Sequence, residues 1–178
     1  MSVVKELEQF GKYVKQQAKS NLTKKGKKDK GDLYNGIEFE VSENKNGADL
    51  VFSFGNASDY WEFVDKGVKG VGGTKADGTK WEQKKVTNSL FKYKDKAPPI
   101  KALDGWVLRK GFAGRNEKGQ MTSRKSIKFA IAKSIFHTGL ATTNFITTPF
   151  EKAFQRLPED IYAAYALELE SNLKVILK

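Results

Sequence analysis

Ile37-Glu38-Phe39-Glu40-Val41-Ser42 and Leu50-Val51-Phe52-Ser53-Phe54 are the two stretches on which the fold turns. In the first, Ile37, Phe39 and Val41 alternate with Glu38, Glu40 and Ser42. In the second, Leu50, Phe52 and Phe54 form the matching set. A period of two places the apolar residues on one face, the pattern of a strand with one side buried and one wet. Asn44-Lys45-Asn46-Gly47 lies between them and supplies turn residues. The pair therefore predicts an antiparallel hairpin.

Working outward, the period changes. Val4, Leu7, Phe10, Val14 and Ala18 recur at helical spacing and predict a helix over residues 3–22. Gly11 weakens it by up to about 1 kcal/mol relative to alanine. Residues 24–31, Lys24-Lys25-Gly26-Lys27-Lys28-Asp29-Lys30-Gly31, read as a basic flexible loop, because like charges at that density repel. Beyond the hairpin, residues 57–66 read as a short helix or a bent strand. Residues 67–80 hold five glycines and read as a long loop, a class that is usually functional or disordered. Residues 81–93 read as an extended hairpin arm with Val86, Leu90 and Phe91 as its apolar points. Together, residues 67–97 form an extended insertion loop or arm.

Pro98-Pro99 halts whatever precedes it, and Pro99 suits the first turn of a helix with Ile100, Leu103, Trp106 and Val107 on one face. Gly111 ends that helix, and residues 114–119 form a polar loop. Thr122 or Ser123 can cap the next helix, whose stripe is Ile127, Ala130, Ile131, Ser134 and Ile135 and whose terminator is Gly139. A last helix is predicted from Pro158, with Ile161, Tyr165, Leu169, Leu173 and Ile176 as its stripe and acids in its first turn. The class is α+β: a hairpin-based antiparallel sheet flanked by an N-terminal helix and two or three C-terminal helices, with long loop insertions. A length of 178 residues fits one domain.

Composition removes several functions. The chain has no cysteine and one histidine, His137. That leaves no disulfide scaffold, thiol nucleophile or thiolate metal site, and too few histidines for most zinc centres. Lysine and arginine number 32 against 21 acids, a formal charge of +11. Such a surplus is either an electrostatic footprint for nucleic acid or a solubility device. Only Arg109, Arg115, Arg124 and Arg156 are arginine, which argues against bidentate reading of base edges. The N-terminus is charged and unlike a secretory signal, and no stretch is apolar enough to span a bilayer. The expectation is a protein made in a cytoplasm, with no membrane partner.

Four patterns could carry chemistry. Gly70-Val71-Gly72-Gly73-Thr74-Lys75 lacks the Walker spacing and reads as a surface loop. Asp77 with Glu82 and Lys84 loosely matches an acidic metal-nuclease pattern, but a chain that is 30% charged produces it by chance. His137 has no partnering nucleophile or carboxylate in its vicinity along the chain, and a histidine closing a helix is the commoner role. Glu38 and Glu40 share a strand face and could pair as acids, or simply be the wet side of the hairpin. Tyr60, Trp61, Phe63, Phe91 and Tyr93 interleave with lysines and could stack bases, though aromatics beside a hairpin are more often core or subunit contacts.

The order of segments resembles a known family. Lys30-Gly31-Asp32-Leu33-Tyr34-Asn35-Gly36-Ile37 is similar to a "Gly-x-Leu-x-x-Ser-Ile" lead-in to a first strand, with Gly36 in the serine position. Tyr60-Trp61-Glu62-Phe63-Val64-Asp65-Lys66-Gly67 resembles "Tyr-x-x-Phe-Val-(Asp/Glu)-x-Gly". Pro98-Pro99-Ile100 through Trp106-Val107-Leu108-Arg109-Lys110-Gly111 resembles a "Pro-x-x-x-Ile-x-x-Trp-Ile-x-x-Lys-Gly" helix. Ala130 to Ile135, Thr138-Gly139-Leu140 and Phe145-Ile146 resemble "Ala-x-x-Ile-x-x-x-Gly-(Ile/Leu)…Phe-Phe". In this order they resemble the tailed-bacteriophage neck, or tail-completion (head–tail joining), proteins.

The resemblance implies a structural virion protein with no catalytic residue and no cofactor. It implies a homo-oligomeric ring, sixfold or twelvefold, set between portal or adaptor and tail tube, with DNA passing through. Tyr60, Trp61, Phe63, Val68, Trp81, Phe91 and Tyr93 are then candidate subunit or ring contacts. Lys24, Lys25, Lys27, Lys28 and Lys30 are candidate contacts to passing phosphates. Two other readings stay open: a basic, non-sequence-specific nucleic-acid-binding protein, and a small metal-dependent nuclease.

Overall fold

A computed structural model describes residues 3–28, 31–44, 47–115, 118–159 and 161–162. Length alone is compatible with one domain, but the chain divides into two compact units. One contains the residues up to Trp61 together with those from Thr143 onward, and the other spans Glu62–Thr142. The architecture is α+β, with two small antiparallel sheets among the described residues.

In the first unit, helix α1 (Val3–Lys24) buries Leu7, Phe10, Val14, Ala18 and Leu22 along one stripe. It runs two residues further than predicted and takes Lys24 into its last turn, where a cation suits the helix dipole. The segment before the first strand is a short helix, α2 (Asp32–Gly36). Strands β1 (Glu38–Asn44) and β2 (Gly47–Ser53) pair antiparallel, with Phe39 opposite Phe52 and Val41 opposite Leu50. These four are half-buried, while Glu38, Glu40, Ser42 and Val51 are exposed, as the alternation predicts.

Gly11 has a use that the sequence hides. A Cβ at that position would lie within 2.8 Å of three atoms of the Phe39 ring. The glycine lets the hairpin lie against α1, so its helical cost is offset by packing. Lys15 and Lys19 of α1 reach across to the Glu38 carboxylate. A further helix, α6 (Thr147–Phe154), closes this core, and the predicted element map has no helix there. Thr147, Thr148 and Pro149 are poor helix formers. Pro149 sits in the first turn, where its missing N–H costs nothing. Phe150 then packs edge-on to Phe10 at 5.3 Å and to Phe52 at 6.3 Å between ring centres. Ile37 and Phe145 are fully buried here. Of the predicted C-terminal helix, Tyr165, Leu169, Leu173 and Ile176 lie outside the described residues.

The second unit is built on helix α5 (Arg124–Thr138). Ser123 caps it by accepting a hydrogen bond from the Ser126 backbone N–H, and Gly139 ends it at φ +81°, both as predicted. Its single buried residue is Ala132, not a member of the predicted stripe, and Ala130 is exposed. A 3-10 turn (Ile100–Leu103) runs into α4 (Asp104–Arg109), both against α5, and Lys128 pairs with Asp104. Helix α3 (Trp61–Lys66) precedes β3 (Val68–Lys69), which pairs antiparallel with β4 (Gly139–Leu140).

Candidate functional site

Residues 67–97 are the most unusual part of the second unit. The sequence predicts a long loop followed by an extended hairpin arm here. Most of the segment is stitched along the C-terminal end of α5 and the strand that follows. The backbone N–H of Val71 donates to Phe136 O and that of Gly72 to His137 O, each at 3.0 Å. Lys84 N–H donates to Thr138 O at 2.8 Å, Thr142 N–H to Lys85 O at 3.1 Å, and Gln83 Nε2 to His137 O at 2.6 Å. The last carbonyls of a helix lack intrahelical donors, and this segment supplies them.

The glycines make the approach possible. A Cβ on Gly70 would collide with His137 O and the Gly139 nitrogen, and one on Gly139 with Val68 O. Gly67, at φ +75°, leaves room for the backbone of residues 140–142. Residues 81–93 contain no regular strand; single bridges join Thr74 to Lys80 and Lys69 to Lys92. Ser89 is buried and donates to Gly67 O at 2.7 Å, while its neighbour Leu90 points outward and is 96% exposed.

His137 is a fastener. Its Nδ1 lies 2.6 Å from Gly72 O. Its ring stacks on Trp81, with Lys75 Nζ 5.3 Å from the centre of the indole ring. These contacts tie the loop at Gly72 and Trp81 to the last turn of α5.

The predicted contact residues divide in two. Tyr60 and Phe63 are exposed, with Phe63 edge-on to Phe91 at 4.6 Å. Trp61 stacks on Phe54 at 4.2 Å, and Tyr93 tilts against Phe136 at 5.9 Å. Burial pushes the Tyr93 phenol up from its ordinary value. Trp81, Phe91 and Tyr93 are half-buried and serve internal packing first. Val68, at 6% exposure in the β3–β4 pair, packs in the core of this unit before it can serve as a contact. Its apolar side chain beside a glycine-rich run reads equally well as either from sequence.

The basic candidates lie together. Lys24, Lys25, Lys27 and Lys28 are all exposed at and just beyond the end of α1; Lys30 lies outside the described residues. Lys28 Nζ sits 4.3 Å from the centre of the Tyr34 ring and Lys19 Nζ 5.3 Å from it. Asp77 accepts hydrogen bonds from the Thr79 hydroxyl at 2.7 Å and backbone N–H at 2.9 Å, an Asx turn at an exposed tip. Those bonds hold its carboxyl below the ordinary value, the hydroxyl contributing most. Turn formation is thus its visible task. Among the described residues, no group of three His, Asp or Glu side chains could hold a metal ion, and no helix is long and apolar enough to cross a membrane.

Compared with family models, curated proteins and solved structures, the chain matches none.

Proposed function

We propose that the chain is a structural virion protein of a tailed bacteriophage, one subunit of a neck ring between portal or adaptor and tail tube. The observation that carries this reading is the order of the four motifs, at residues 30–37, 60–67, 98–111 and 130–146. The α+β architecture, with a long N-terminal helix against a hairpin, agrees in class with what that resemblance implies. A ring needs a heterologous contact, in which one surface of a subunit meets a different surface of the next. Leu90 is a good participant, because it stands exposed on a segment whose neighbours on either side are anchored. Phe63, of the same unit, is exposed as well. DNA in the lumen would meet lysines as a polyanion, without being read.

The test is co-expression with the portal and tail-tube proteins encoded in the same genome, followed by electron microscopy. A ring or collar containing the chain is expected. Monomers in the presence of those partners, or a genome without such genes, overturn the reading.

One observation favours a second reading, general nucleic-acid binding. Four exposed lysines gather within five residues, with Tyr34 beside them. A gel shift at low and moderate salt checks it.

A further inference from the structure

A second surface stands apart from the neck reading and from the 67–97 segment. Between α4 and the start of α5 lies an open groove of about 350 Å³. Val107 forms its buried floor, Ile127 a half-buried wall, and Leu108, Phe112 and Met121 its exposed lips. The lips are held in place. Phe112 packs on Trp106 at 5.0 Å, and Met121 is bridged antiparallel to Arg115, whose Nη1 donates to Gly119 O at 2.8 Å. Thr122 N–H donates to Gly114 O at 2.8 Å. Met121 is nonetheless 65% exposed and Leu108 56%.

The stretch of chain that builds this groove carries a lopsided charge, and Arg124 is the charged residue in the lining. Residues 101–133 carry nine lysines and arginines against two acids, a net of +7 out of the chain's +11. Three of the four arginines, Arg109, Arg115 and Arg124, fall in this stretch. Arginine is suited to bidentate pairing with carboxylates, and Arg124 is the one that lines the groove. Moreover, Arg124 and Lys125 occupy the first turn of α5, which has no acid there. Cations at a helix N-terminus oppose the macrodipole. Breaks of a local rule of this kind are expected at functional or strained sites.

The geometry points to docking of an acidic amphipathic helix from a partner protein. Its apolar side chains, spaced i, i+3, i+4 and i+7, would fill the groove, and its carboxylates would meet Arg124 and the net positive stretch that builds the groove. A nucleic acid fits less well, since Phe112 is already packed on Trp106 and an apolar floor gives nothing to phosphates. A membrane fits less well too, because a concave groove cannot insert its floor between lipids.

The test uses methyl-labelled methionine in the full chain. There are two methionines, Met1 and Met121, and Met121→Leu assigns the groove signal. Four probes are titrated: a glutamate-rich amphipathic helical peptide, a scrambled peptide of equal composition, an oligo-dT strand and anionic phosphatidylglycerol vesicles. Saturable movement of the Met121 methyl with the first peptide is expected, at least tenfold weaker with the scrambled one. Arg124→Glu should weaken the binding at least tenfold while leaving the melting temperature unchanged or raised, since an acid suits that helix end. Equal response to both peptides overturns the proposal. So does response only to the oligonucleotide or the vesicles, or no movement at all.

Discussion

The indole of Trp81 lies flat on the imidazole of His137, with ring centres 5.0 Å apart and planes 4° from parallel. The two residues are distant in sequence, and their contact closes the segment that leaves α3 against the end of α5. Trp81→Ala should therefore loosen that segment. Stacked rings contribute about 0.5–1.5 kcal/mol beyond burial. The expected outcome is faster hydrogen exchange at the Val71, Gly72 and Lys84 amides. Unchanged exchange at those three sites would refute the fastener role.

Gly139→Ala should cost more. The glycine has φ +81°, and an added Cβ would strike the Val68 carbonyl oxygen, so β3 and β4 could not keep their register. Loss of about 2 kcal/mol or more is expected from strain and clash combined. Denaturant unfolding measures it.

Leu90→Ser separates assembly from folding. The side chain is almost wholly exposed, so stability should change by no more than about 0.5 kcal/mol. On the neck reading, the collar seen by electron microscopy should weaken or vanish. A stable variant that still forms the collar removes Leu90 from the interface.

Glu38 contributes to acid stability. The Lys15 ammonium hydrogen-bonds Glu38, and with Lys19 it holds that carboxyl below its ordinary value despite slight desolvation. A depressed folded-state pKa stabilises above the unfolded value and is lost as pH falls through the folded one. Glu38→Gln should flatten the stability profile from about pH 4.5 downward and leave its shape near neutrality unaltered. Melting temperature against pH, for both proteins, checks it.

Any DNA binding should be indifferent to sequence and steep in salt. Each phosphate neutralised adds about 0.9 to the slope of log K against log salt for duplex DNA. Replacing Lys24, Lys25, Lys27 and Lys28 by glutamine should lower the slope in proportion to the contacts they make. An unchanged slope would place the phosphate contacts elsewhere on the chain.

Much of the fold is legible in the residues because its causes are local. Helix α1, the β1–β2 hairpin, the Ser123 cap and the Gly139 stop follow from periods of 3.6 and 2 and from backbone groups within a few residues. Other features come only from contacts between distant parts of the chain. Phe150 makes a helix of a threonine- and proline-led segment by packing on Phe10 and Phe52. Gly11 is needed by the Phe39 ring, Val68 is buried in the β3–β4 pair, and Val71, Gly72 and Lys84 are hydrogen-bonded to the end of α5. The positive charge of residues 101–133 is visible in the sequence, but the apolar groove beside Arg124 required Leu108, Phe112 and Met121 to be seen side by side. Periodicity tells which face of an element is apolar; only the tertiary structure tells whether another part of the chain covers it.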